Sequence, residues 1–479
     1  MLITYCHLFA QNIAMFFIFV PKTLQIFKMV PIVKNQNQGS LFFSFRDTLN
    51  PKHPLFILAD KIQWDMFEKA FKELYSADNG RPAKPIRLMV GLLMLKHIRN
   101  LSDEVVVEAW SENNYFQYFT GESSFASGVP CEASELVHFR KRIGESGIEL
   151  ILKESIRIND KDALDPNVNI DTTVQEKNIT FPTDAKLHKK IIQKCKDIAQ
   201  KEDIELRQSY SRILKKLSRN QRFRNHPKNK SKALKADKKV KTIAGRLVRE
   251  LERKLPPNSM YQKDLQLFFK ILSQKKDSKK KIYSIHEPET ACISKGKEHK
   301  KYEFGNKASI AKTDSGVIVG ALGFRDEYDG HTLKPTLEQI ERLTGEMPEK
   351  VKVDRGYKGN KQIGETEILI PSTPNKSMSY YKRKKLSDSH KKRAGIEPII
   401  GHLKTDHRLN RNFYKGTFGD NINIMLAAAA FNFKRMMNKW KKNFFYFFKR
   451  YFFIFKHYFF AFPFIFFKEN FQIDFLRAD

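Results

Sequence analysis

"DPNVNIDTTVQ", residues 165–175, is the stretch on which the fold turns. Up to about Ile158 apolar residues recur at helical spacing. Here Val168 and Ile170 alternate with polar neighbours, the period-two pattern of a half-buried strand, and Asp171 follows at the strand's end. Outward from this point, "FPTDAKLHKKIIQKC" (181–195) starts a helix with Thr183 or Asp184 as cap, and residues 186–281 read as long, helical and basic. Within them, "NHPKNKSKALKADKK" (225–239) has little apolar content and reads as an exposed loop or arm. Strand texture returns after Lys280, in "KIYSIHE" (281–287), "KYEFGNKASIAKT" (301–313) and "GVIVGALGF" (316–324). A helix, "TLEQIERLTG" (336–345), precedes two further strands, "EKVKVDRGYKG" (349–359) and "ETEILIPS" (365–372). A basic linker (379–393) leads to "KKRAGIEPIIGHLK" (391–404) and a last helix, "NINIMLAAAAFNFKRMMNKW" (421–440). This order predicts an α/β domain, residues 161–185 and 282–440, with a mixed sheet flanked by helices and a basic helical insertion at 186–281.

Residues 40–160 predict an all-helical N-terminal domain. "DKIQWDMFEKAFKELYS" (60–76) and "IRLMVGLLMLKHIRN" (86–100) carry apolar stripes, and Ser102 caps "DEVVVEAW" with acids in the first turn. "ASELVHFRKRIG" (133–144) crowds His138, Arg140, Lys141 and Arg142 on one helix. Two readings stand: a helix-turn-helix-like DNA reader, or a plain helical domain with a solvated charged helix.

The charge balance looks outward. Lysine plus arginine number 87 against 53 acids, a net charge of +34. This suggests a polyanionic partner, nucleic acid before anionic membrane; AT-rich coding DNA would also inflate Lys, Asn and Phe, without clustering the cations. Cys6, Cys131, Cys195 and Cys292 show no metal-ligand spacing, which argues against a structural zinc site and fits a reducing cytosol. The ends depart from the rest. Residues 8–20 are apolar without a preceding positive charge, and 441–479 hold fifteen Phe interrupted by Lys449, Arg450 and Lys456. Residues 1–28 are expected to lie outside the native protein, with Met29 as start, and 441–479 to be a disordered or read-through tail.

Three carboxylates stand out by position: Asp171 and Asp354 at strand ends, and Glu397 on the helical segment after the sheet, between Arg393 and Lys404. Hard oxygen ligands at adjacent strand ends suit Mg²⁺, which keeps several waters and binds substrate phosphate. A lone Asp at a strand end more often caps a turn. Asp329 and His331 in "YDGHTL" (328–333) are expected to be turn residues, and Gly356 to shape a tight turn. Glu303 and Lys307 share a strand without an assigned role.

The blocks "NIDTTVQEKNITFPTDAKL", "VKVDRGYKG" and "RAGIEPIIGHLK" resemble the three catalytic blocks of DDE transposases of bacterial insertion sequences, in the insertion-sequence-five-like branch. The third matches the R-x3-E-x6-K pattern through Arg393, Glu397 and Lys404. The related insertion-sequence-four branch has a Tyr three residues before the Arg; here that place is His390, so the Tyr's role is not transferred. "GRPAKPIRLMVGLLMLKHIRNLSDEVVVEAW" is similar to the family's helical N-terminal domain, and the resemblance covers about residues 40–438.

What the resemblance implies is an RNase H-like catalytic core in which Asp171, Asp354 and Glu397 hold two Mg²⁺ ions, with Mn²⁺ as a substitute. It implies Mg-dependent cleavage at element ends and strand transfer into target DNA. The partners implied are the terminal inverted repeats and target duplex, and a homodimer in the DNA complex, with no membrane, in the nucleoid-associated bacterial cytoplasm. Arg393 and Lys404 are expected to hold DNA phosphates, with His407 and Arg408 extending that ridge. Pro398 disfavours a helix through Glu397, so Arg393 is expected to reach the site from a preceding loop. The competing readings are a catalytically inactive, transposase-derived DNA-binding protein and a nuclease that cuts without joining.

Overall fold

The computed structural model describes residues 44–75, 82–275, 277–294, 301–357, 361–370 and 378–466. The expected leader (1–28) and the last residues of the tail (467–479) lie outside them. The chain divides into two compact units, the described residues up to Lys96 with Leu101–Gly147, and His97–Asn100 with the rest from Ile148 on.

The first unit is helical: α1 (Phe45–Thr48), α2 (Pro54–Lys61), α3 (Trp64–Lys72), most of α4 (Ile86–Ile98), α5 (Asp103–Glu112), α6 (Asn114–Phe119) and the first half of α7 (Ala133–Ile158). The helix expected over 60–76 is broken. Ile62 is extended (φ −70°, ψ 134°), and α3 restarts at Trp64, whose indole Nε1–H donates to the Ala59 carbonyl at 2.8 Å. Ser102 caps α5 as expected, accepting from the Val105 N–H. Gly144 breaks α7 in the left-handed region (φ 68°), where Gly carries no steric penalty. The basic helix is less free than its sequence suggests. Arg140 is 4% exposed and forks both oxygens of Asp103 at 2.7 and 2.8 Å, while Arg142 stacks on Tyr75 at 4.5 Å. Two of its three cations, Arg140 and Arg142, are therefore committed inside this unit, which favours the plain helical reading of that helix.

The second unit is built on a mixed sheet of eight strands among the described residues. They are β1 (Asn167–Lys177), β2 (Ala291–Ser294), β3 (Tyr302–Thr313), β4 (Ile318–Phe324), β5 (Lys350–Lys352), β6 (Gln362–Ile363), β7 (Thr366–Leu369) and β8 (Arg411–Asn412). β4, β3 and β1 run antiparallel; β5 then pairs parallel with β1, and β7 parallel with β5. The sheet is thus mixed, as expected for this domain. "KIYSIHE" forms no strand. β2 forms downstream instead, on the edge of β3, where it finds a ladder partner.

Four helices, α8 (Asp184–Lys201), α9 (Ser211–Asn220), α10 (Pro227–Lys254) and α11 (Gln262–Ser273), make the insertion. They close around their own core of Ile191, Cys195, Val240, Ile243, Leu247 and Phe268. The expected loop at 225–239 is instead the first half of α10. Ala233, Ala236 and Val240 recur at helical spacing and are buried, with Pro227 at the favoured first position. Small alanines hid this stripe among lysines. The segment 379–393, expected as a linker, is α13 (Tyr380–Ala394), since α12 (Leu333–Thr344) is the preceding helix. It contains no Gly or Pro before its end, and Lys and Arg are good helix formers. After α14 (Ile396–Asp406), α15 (Gly416–Phe466) continues helical well into the expected tail. Among the described residues no helix is long and apolar enough to cross a membrane.

Candidate active site

The parallel register of β1 and β5 assembles the site. Val168 lies opposite Val351 and Asn169 opposite Lys352; the same offset, carried two residues further, brings Asp171 abreast of Asp354. Asp354 follows the end of β5, as expected. Asp171 does not end its strand: β1 runs on to Lys177, because Thr172–Glu176 stay paired with β3. One step back, Asp314 ties the layers together. It accepts from Asn169 Nδ2 (2.7 Å) on β1 and Lys352 Nζ (2.9 Å) on β5, and pairs with Lys392 Nζ (3.4 Å) on α13. Burial raises its carboxyl, but the bonds from Lys352 and Asn169 outweigh this and hold it below the ordinary value.

Each aspartate is held through its Oδ1 by a backbone N–H and turns its Oδ2 toward one guanidinium. Asp171 Oδ1 accepts from the Thr172 N–H at 2.8 Å, and Asp354 Oδ1 from the Gly356 N–H at 2.7 Å. Their Oδ2 atoms lie 4.0 and 3.9 Å from a single nitrogen, Nη2 of Arg393. These distances are ion pairs without hydrogen bonds, so the guanidinium neutralises the two carboxylates loosely. Arg393 Nε is buried and has no acceptor among the described residues, an orphan donor of the kind native proteins seldom leave unfilled. Arg393 comes from the last turn of α13, not from a loop. The chain breaks at Gly395, and α14 then carries Glu397 and Pro398 in its first turn. Arg393 and Glu397 thus stand on successive helices, and the shared helix face holds only for Glu397 and Lys404.

Residues assigned to turns complete the cluster. Asp329 begins a short 3₁₀ turn (Asp329–Thr332), as expected. Its carboxylate accepts from Thr172 Oγ1 at 3.0 Å and from Lys307 Nζ at 3.0 Å. A Cβ at Gly356 would meet Asp354 Oδ1 at 2.8 Å and Asp329 Oδ2 at 3.6 Å, so glycine here serves close approach as well as the turn. The Tyr328 hydroxyl donates to the Gly356 carbonyl. Tyr357, 2% exposed, is held protonated: burial first, then the negative charges of Asp171, Asp329 and Asp354, push its hydroxyl far above the usual tyrosine range. "YDGHTL" and Lys307 had been visible in the sequence, but nothing local ties either to Asp171.

Glu397 is exposed on the first turn of α14, and among the described residues no group of three acidic, thiol or imidazole side chains lies close enough to hold a metal ion. Lys404 is half-buried further along α14. Arg408 has a left-handed backbone (φ 66°), bonds the Asn100 carbonyl at 3.4 Å and lies 5.6 Å over the Phe413 ring. His407 cannot extend a phosphate ridge. It is 1% exposed, its Nδ1 lies 3.0 Å from the His97 carbonyl, and burial lowers its pKa to about 4.

Two carboxylate oxygens facing one side-chain cation are hard donors of the kind a divalent cation takes. At 16% and 36% side-chain exposure, Asp171 and Asp354 are open to solution.

Comparison with known families locates this cluster within a wider pattern. Residues 43–142 match the family described as Transposase domain (DUF772), and residues 273–433 that described as Transposase DDE domain. The second span contains Asp354, Arg393, Glu397 and Lys404; Asp171 lies ahead of it, across the insertion. The uncharacterized protein ORF8 in the nfe locus of Rhizobium meliloti is 46% identical over 182 residues, which covers 36% of this chain and 87% of that protein. No solved structure matches the chain.

Proposed function

This chain belongs to the DDE transposases of insertion sequences, and from that premise we propose that it cleaves DNA at the ends of its element and joins the freed ends to target DNA. The family implies an RNase H-like core, DNA as partner and a divalent metal as cofactor. The observation that carries the reading is the convergence of Asp171 Oδ2 and Asp354 Oδ2 on one cation, from parallel neighbouring strands.

Asp171 and Asp354 would hold the metal, and Glu397, in the first turn of α14 just past the Gly395 break, would complete the donor set for Mg²⁺, with Mn²⁺ able to substitute. When bound, the metal supplies charge neutralisation at phosphorus and an activated water. The backbone N–H groups of Thr172 and Gly356 fix the orientation of the two carboxylates. Arg393, released from the aspartates, forks two phosphate oxygens and satisfies its orphan Nε. Lys404 and Arg408 add point charge along the same strand. Two in-line displacements follow. Water attacks the phosphodiester at the element end, expelling a 3′-OH; that hydroxyl attacks a target phosphodiester, expelling a new 3′-OH. Two ends in one reaction call for a homodimer in the DNA complex.

Incubation with duplex carrying the terminal inverted repeats and Mg²⁺ tests this. Nicking at the repeat ends and target joining are expected, and Asp171→Ala or Asp354→Ala should abolish both with binding retained. Cleavage by either variant at the wild-type rate removes that residue from the site. A second reading, an inactive DNA-binding descendant, is favoured by the absence of a three-acid group among the described residues; it predicts binding without cleavage in the same assay.

A further inference from the structure

Helix α10 is amphipathic in an unusual sense. Ala236, Val240, Ile243, Leu247 and Leu251 bury one ridge in the insertion's own core. On the exposed side, Lys228, Lys232, Lys235 and Lys239 occupy one row at steps of four and three residues, and Arg246, Arg249 and Arg253 continue it in register after Thr242. All seven are exposed. The ion pairs found on α10, Asp237 with Arg224 and Glu250 with Lys254, involve none of them.

A solvated face needs no such order. Seven like charges on one ridge repel at i,i+4 spacing, so the row destabilises the free helix. From Lys228 to Arg253 the row is about 37 Å long at 1.5 Å per residue, close to one turn of duplex DNA, about 34–36 Å. α10 holds no aromatic residue on which an unpaired base could stack, and a straight rod of cations suits the stiff duplex better than a compliant single strand.

We propose that this row is a second DNA-contacting surface, one that grips the phosphates of a duplex without regard to sequence. The inference rests on the reading of the chain as a DNA transposase, and it places part of that binding on the insertion, away from the carboxylate site. Lys and Arg contacts to phosphate position a protein on DNA without reading bases.

The test is fluorescence anisotropy on a duplex lacking the terminal repeats, in EDTA, over a salt titration. The variant is Lys232→Gln/Lys235→Gln/Lys239→Gln/Arg246→Gln. Its control, Lys194→Gln/Lys201→Gln/Lys216→Gln/Lys263→Gln, removes the same charge from exposed positions on the other helices. The expected result is a fall of about 3 in the slope of log K against log salt for the first variant, with affinity down about tenfold or more, and a smaller change for the control. An unchanged slope overturns the proposal, as does an equal loss in the control, or a stripe-dependent preference for single-stranded RNA. If wild type cleaves repeat ends while the stripe variant keeps its slope, only the stripe fails. A wild-type protein with no affinity for duplex removes both readings.

Discussion

Asp171 on β1 and Asp354, just past the end of the parallel β5, lie abreast and share one counter-ion, Nη2 of Arg393, at 4.0 and 3.9 Å. Two carboxylates this close would repel without it. On the proposed function a divalent cation would compete for the same place with twice the charge, which would couple metal entry to the release of Arg393.

Arg393→Gln should therefore separate metal binding from cleavage. Without the guanidinium, Mn²⁺ affinity of the DNA-free protein is expected to hold or rise, while end cleavage falls by about 10²–10³-fold, the usual cost of losing one transition-state charge contact. Titration of Mn²⁺ by electron paramagnetic resonance reads the first quantity. Weaker Mn²⁺ binding in the variant would show that Arg393 builds the site instead of guarding it.

Gly356→Ala places a methyl 2.8 Å from Asp354 Oδ1, closer than Cβ contacts allow. Asp354 must shift, and misplacement by about 1 Å costs on the order of 10²-fold in rate. The melting temperature should move little, because the turn lies beside the core and not in it. Equal cleavage by Gly356→Ala and wild type would mean that Asp354 needs no fixed position.

Asp329 bridges Thr172 on β1 and Lys307 on β3, one residue from Asp171. Asp329→Ala removes this partner from both Lys307 and the Thr172 hydroxyl. Cleavage is expected to fall by about tenfold or more with DNA binding unchanged, whereas Asp329→Asn, which keeps an acceptor for Thr172, should retain more activity. Identical rates for the two variants would assign the effect to the lost charge and not to the position of β1.

In the N-terminal unit, Asp103 is buried, which raises its pKa, but the fork of Arg140 and the charge of Lys96 prevail and lower it to about 2. A depressed carboxylate stabilises the fold above its unfolded value near 4, and that contribution is lost as pH falls from about 4 to about 2. Asp103→Asn should cost about 2 kcal/mol at neutral pH. It should also flatten the acid limb of a urea midpoint against pH profile.

Much of this architecture was legible because its signals are local. Alternation at Val168 and Ile170, the Ser102 cap and the Gly after "TLEQIERLT" each act within a few residues, where steric and hydrogen-bond preferences are strong. Asp171 and Asp354 were legible as candidates from their strands, and Arg393 from the block it shares with Glu397. The helix in 225–239 was missed because small alanines mark a buried ridge weakly in a lysine-rich run.

By itself the sequence determined the residue types: the carboxylates, the cations near them, a basic insertion and strands to carry them. Only the tertiary structure decided which of these meet. The adjacency of Asp171 and Asp354 is a matter of parallel register between segments separated by the insertion, and register is set by ladder pairing and burial, not by neighbours in the chain. The same holds for Asp329, which a turn delivers beside Thr172, and for Arg393, which the break at Gly395 sets on a different helix from Glu397.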